Sequence, residues 1–112
     1  MANQSLGYVT VTAAGTPVRL TSNETTPADR YPVHSYLIEV VSSNTGKIFV
    51  GSSTMNKATG AGVYAVLPPP TTNVYPSFSS NIVEAAAGFN LAEVYLDADV
   101  NGEKALVSVI IA

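Results

Sequence analysis

The densest group of chemistry-bearing residues is Asp97-Ala98-Asp99-Val100-Asn101-Gly102. The order D-x-D-x-N-G opens a calcium loop, where alternate oxygens wrap the ion and glycine permits the sharp turn. A complete loop adds a bidentate glutamate at its twelfth position, and here that place belongs to Ser108. The stretch reads better as a strand end and a tight turn, with Asp97 and Asp99 sharing one exposed face and at most weak affinity for a cation. No metal site is expected.

His34 is the only histidine. A proton shuttle or ligand needs partners, and the acids nearby in sequence are Asp29 and Glu39. A polar residue opening a strand after Pro32 is the preferred reading. No G-x-S-x-G elbow frames a nucleophilic serine. Gly60-Ala61-Gly62 leads into a strand, where a phosphate cradle leads into a helix. No acid lies in a recognisable cleft motif of glycosidase type. The expectation is a protein that is not an enzyme and holds no cofactor.

Six tyrosines offer another kind of chemistry, ring stacking. Tyr8, Tyr36, Tyr64 and Tyr95 fall inside strand patterns and read as core or interface. Tyr31 and Tyr75 sit in loops beside prolines and are the better surface candidates. Residues 68–80 form a proline-rich arm or loop in which Pro68, Pro69 and Pro70 supply stiffness. Val74, Tyr75 and Phe78 supply apolar groups there. The candidate interface residues are therefore Pro68, Pro69, Pro70, Val74, Tyr75, Phe78 and Tyr31.

The elements that position these groups are strands. Residues 6–13 alternate Tyr8, Thr10 and Thr12 against Val9 and Val11, the pattern of a half-buried strand. Residues 16–22 answer after Gly15, with Pro17 marking a strand start or an edge. Residues 34–51 read as a central hairpin: an apolar run, a Ser42-Ser43-Asn44-Thr45-Gly46 turn, and a second apolar run. Residues 63–67 form a short strand that stops at the prolines, and Ile82-Val83 suggests another.

Asn101-Gly102 between alternating segments is a strong hairpin signal, because a type I′ turn wants left-handed backbone at both positions. That register sets Val94 opposite Val109, Leu96 opposite Val107 and Ala98 opposite Ala105. It also pairs Asp99 with Lys104. About eight short strands and no amphipathic helix give an all-β chain, an antiparallel β-sandwich of jelly-roll type. It is expected to be one domain over residues 1–112.

Composition bounds the partners. Net charge is −3, and charged residues make up only 12% of the chain, about half the usual ~25%. The basic residues Arg19, Arg30, Lys47, Lys57 and Lys104 are scattered, so no stripe exists for nucleic acid. No apolar run approaches the ~20 residues of a membrane-spanning helix, so no membrane partner is expected. No signal peptide is visible, and the absence of cysteine removes disulfides and thiolate metal sites. A small, charge-poor chain that is 46% hydrophobic is expected to hide part of its surface in an assembly.

Three segments carry a resemblance. Residues 12–18 (TAAGTPV), 44–51 (NTGKIFVG) and 91–103 (LAEVYLDADVNGE), with the strands between them, resemble small virion structural proteins of tailed bacteriophages. The resemblance implies a β-sandwich that decorates and cements the capsid exterior by binding between major capsid protein subunits. It implies a homotrimer, assembled in the host cytoplasm, with no catalytic residues. A tail- or fibre-associated receptor- or glycan-binding module is the alternative expectation. The 68–89 insertion departs from the family pattern.

Overall fold

A computed structural model describes residues 3–24, 31–80 and 89–111. These residues fold into nine strands: Asn3–Val11 (β1), Val18–Arg19 (β2), Pro32–Val40 (β3), Ile48–Gly51 (β4), Val63–Leu67 (β5), Ser77–Ser79 (β6), Phe89–Asn90 (β7), Tyr95–Ala98 (β8) and Glu103–Ile111 (β9). One 3-10 turn, Leu91–Glu93, separates β7 from β8 and is capped by the Asn90 side chain. Every pairing is antiparallel. One sheet runs β1-β9-β3-β6, with β7 also on β3, and the other runs β2-β8-β4-β5. Counting β6 and β7 as one interrupted strand gives eight strands in jelly-roll order.

The core lies between the sheets. Val9, Val11, Ile38, Val40, Ala105, Val107 and Val109 come from one, and Ile48, Val50, Leu67, Leu96 and Ala98 from the other. These are the alternate positions of each strand, as a two-sheet core requires. In β1 the alternation changes parity at Gly7, where the register against β9 slips. Gly7 takes φ +77, the left-handed conformation a bulge of this kind favours in glycine. Leu6 therefore points inward before the bulge, and Val9 and Val11 do so after it.

Neither expected hairpin is a hairpin, and the two N-terminal strands do not pair either. β1 and β2, β3 and β4, and β8 and β9 lie in different sheets, so each connection crosses the sandwich. Only β4 and β5 are both consecutive and paired. Val107 faces Ile38 and Gly7, and Ala105 faces Val40 and Val9, replacing the register read from the Asn-Gly turn. Gly102 has φ +81, but Asn101 is not left-handed, so the corner lacks the type I′ geometry a two-residue hairpin needs. Asp99 does not pair with Lys104; it lies 3.7 Å from Lys57.

Polar side chains hold the crossings, supplying what a hairpin ladder would otherwise supply. Glu103, only 6% exposed, accepts through Oε1 from the backbone N–H of Thr45 and of Gly46. Asn44 Nδ2 donates to the Lys104 carbonyl at 2.7 Å, and its Oδ1 accepts from the Lys104 N–H at 3.1 Å. Those bonds tie the β3–β4 corner to the start of β9. The β1–β2 corner is tied to the β8–β9 corner in the same way. Ala14 N–H donates to Asn101 Oδ1 and Gly15 N–H to Asp97 Oδ1.

The sheet edges are managed differently. Asn23 Nδ2 donates to the carbonyls of Leu6 and Tyr8 and so occupies acceptors along the outer edge of β1. β2 and β6 are two and three residues long. Pro17 precedes β2 at its edge, as expected. β5 ends where Pro68, Pro69 and Pro70 remove consecutive backbone donors. The expected strand at Ile82-Val83 lies outside the described residues.

Candidate interaction surfaces

The acidic motif builds a structural strap. Asp97 is 2% exposed and its Oδ1 accepts from Gly15 and from its neighbour Ala98. Lys57 arrives from the β4–β5 loop, donates to the Ala98 carbonyl at 2.7 Å, and stands 3.8 Å from Asp97 Oδ2. Its ammonium also lies 5.5 Å from the centre of the Phe49 ring. The loop thereby covers the outer side of β4, all four of whose residues are buried. Asp97 and Asp99 do not share an exposed face, and Asp97 is unavailable to a solvent cation. Among the described residues no group of three or more His, Asp or Glu side chains is arranged to hold a metal ion.

His34 is half-buried at a register slip between Val33 and Ser35 in β3, and Asp29 lies outside the described residues. Glu39 is on the outer face of β3, paired in register with Leu106 and Ser77.

The proline-rich segment splits into an anchored part and a displayed part. Thr71 and Val74 exchange two backbone hydrogen bonds around a turn in which Asn73 has φ +62. Beyond it, Pro76 accepts from Val40 N–H and β6 pairs with Leu37, Ile38 and Glu39. Phe78 packs on Tyr36 with ring centroids 6.0 Å apart, and Phe89 meets the same ring at 5.7 Å. Phe78 therefore completes the protein's own core. Pro68 is exposed and Pro69 and Pro70 are half-buried, whereas Val74 and Tyr75 stand out at the tip, both at least half exposed.

Tyr31 is also anchored. Its backbone N–H donates to Asn90 Oδ1 and its carbonyl accepts from Leu91 N–H. Burial raises its phenol above the ordinary value, and hydrogen bonding to the Glu24 carboxylate adds to the shift.

The outer face of the β1-β9-β3-β6 sheet was not singled out by sequence, yet it displays exposed apolar side chains. Its cross-strand rows read Tyr8–Leu106–Glu39–Ser77 and Ser5–Ser108–Leu37–Ser79, with Asn3–Ile110–Ser35 beyond. Tyr8 is 58% and Leu37 39% exposed. A cleft of about 200 Å³ lies between Tyr8, Leu106, Glu39, Ser42 and Tyr75, which brings the arm tip onto this face. A second depression of about 350 Å³ lies over Asn3, Leu37, Ser108 and Ile110. Glu39 and Lys104 are the charged residues here, and Lys104 lies 6.0 Å over the Tyr8 ring. The signal was present: Tyr8 shares its strand face with Thr10, opposite Val9 and Val11, and so had to point outward.

A third hollow, of about 460 Å³, lies where β2, β8 and the ends of β4 and β5 meet. Arg19, Tyr64, Tyr95, Ser52, Ser53 and Glu93 line it. Arg19 Nε donates to the Tyr95 hydroxyl at 2.9 Å, and its guanidinium lies 5.9 Å from that ring's centre. Tyr64 is 55% exposed, so of the core and interface positions expected for it the core one is set aside.

Comparison of the chain with family models, with curated proteins and with solved structures returns no match.

Proposed function

We propose that this protein is a virion structural protein that decorates and cements a capsid from the outside, seating the outer face of the β1-β9-β3-β6 sheet and the Val74-Tyr75 tip against major capsid subunits. The observation that carries the reading is that face: neutral and apolar side chains across four strands, with Glu39 and Lys104 as its charged residues. Such a surface loses little by dehydration, because few charges need new partners once water is excluded. The three motif segments support the same reading, and jelly rolls serve as capsid and lectin domains alike. A homotrimer would repeat each modest contact three times and hold the shell by avidity.

Stoichiometry in purified particles tests it. A cement is present in hundreds of copies per particle, whereas a tail or fibre module is present in far fewer. Particles lacking the protein should break at lower temperature and under milder osmotic shock than complete ones. Equal resistance would end the cementing proposal.

A further inference from the structure

The hollow lined by Arg19, Tyr64, Tyr95, Ser52, Ser53 and Glu93 lies apart from the cleft at Tyr8 and Tyr75 and shares no lining residue with it. Its volume falls within the ~300–1,000 Å³ typical of small-molecule sites. Two properties define what fits. Tyr64 offers a ring more than half exposed, and Tyr95 a second ring held in place by the Arg19 bond. The polar lining is mixed: hydroxyls at Ser52 and Ser53, one carboxylate at Glu93 and one guanidinium at Arg19, which leaves the rim near neutral overall.

From these properties we infer that the hollow binds a neutral oligosaccharide, with a pyranose ring laid on Tyr64 and its hydroxyls bonded by Glu93 and the serines. A sugar ring presents a flat face of C–H groups to an aromatic surface and a girdle of hydroxyls that both donate and accept. A carboxylate accepts from two neighbouring hydroxyls at once, and serine hydroxyls answer in either role. An acidic glycan would meet Glu93 unfavourably, and a nucleic acid would find one cation where several are needed. This site is independent of the shell contact, since it involves neither the sheet face nor the arm tip.

The test is a two-dimensional amide NMR titration of the whole chain with gluco-, manno-, galacto- and N-acetylglucosamine oligosaccharides at millimolar concentration. Shifts concentrated at Ser52, Ser53, Tyr64 and Glu93 are expected from at least one of them. Tyr64→Ala and Glu93→Gln change exposed side chains and should leave the fold intact, as amide dispersion will report. Each should weaken binding roughly tenfold, the scale set by one lost aromatic or charge-assisted contact. Tyr8→Ala should leave the affinity unchanged. Absence of shifts at these amides with every sugar, shifts centred on Tyr8 and Tyr75, or undiminished binding by both variants would each overturn the inference.

Discussion

Glu103 Oε1 accepts the Gly46 N–H at 2.6 Å from a residue 57 positions away in sequence, and the neighbouring Thr45 N–H at 2.7 Å. One buried carboxylate oxygen thus closes the corner between the two sheets at β3–β4. Glu103→Ala removes the acceptor and leaves two backbone donors without it, at an expected cost of about 2–4 kcal/mol. Glu103→Gln keeps an oxygen in place and should cost less than half as much. Urea unfolding of the two variants measures the difference, and equal losses would show that the charge matters and the geometry does not.

Lys57 should matter more to stability than the exposed charge beside it. Lys57→Met keeps the stem over Phe49 but leaves Asp97 buried without its cation, for an expected loss of about 1–3 kcal/mol. Asp99 has a side chain 46% exposed, so Asp99→Ala should cost less than about 1 kcal/mol. Thermal melts of both variants rank them. A larger effect from Asp99 would mean that the strap is held from its solvent side.

Gly51 admits no side chain. A Cβ there would lie 2.2 Å from the Gly62 carbonyl oxygen, a backbone atom that cannot rotate away. Gly51→Ala should therefore destabilise the β4–β5 pair by about 3 kcal/mol, the upper range for overpacking. Hydrogen exchange should localise the loss to β4 and β5, and a uniform loss of protection would argue against a local clash.

The Tyr36 phenol is raised above its ordinary value of 10.0 by burial, with Tyr64 contributing next. The folded state favours the neutral phenol. The associated stability is complete below about pH 10, where the unfolded chain titrates, and is lost as pH rises through the higher folded value. Alkaline unfolding should therefore be delayed in Tyr36→Phe, which cannot ionise, when midpoints are followed by circular dichroism. Identical alkaline midpoints in the two proteins would assign the loss to another group.

Excision of residues 71–80 would also remove β6 and Phe78, so the arm is better tested at its tip. Val74→Ser with Tyr75→Ser should change stability by about 0.5 kcal/mol or less, as for exposed sites generally. If the proposed capsid role holds, it should nonetheless abolish retention on capsids in a co-sedimentation assay. Full retention would overturn the proposed role of the Val74-Tyr75 tip.

Strand positions and burial were readable because alternation reports them directly: Val9 and Val11 against Tyr8 and Thr10, or Ala105, Val107 and Val109 against Leu106 and Ser108. What alternation does not report is where a strand goes after a turn. Asn101-Gly102 suits a hairpin and a corner equally well, since glycine supplies one left-handed residue in either case. The choice is made by Glu103, Asn44 and Asp97, whose partners lie dozens of residues away and leave no local pattern. Polar residues at otherwise apolar strand ends, such as Glu103 and Asp97, were the available hint. Of the candidate interface residues, Val74 and Tyr75 are exposed, whereas Phe78 and Tyr31 pack against the protein's own core. The hollow at Tyr64 required β2, β8 and the β4–β5 ends to meet in space.

Asn3 and Ile110 are cross-strand partners at one end of the β1–β9 ladder. A pulling load applied at those two residues runs along the inter-strand hydrogen bonds and meets them singly, so the ladder opens as a zipper does. A load entering through Tyr8 and Leu106 is instead shared by neighbouring strands and by the sandwich beneath. The molecule is thus expected to yield when drawn by those strand ends and to resist when pressed on its open face.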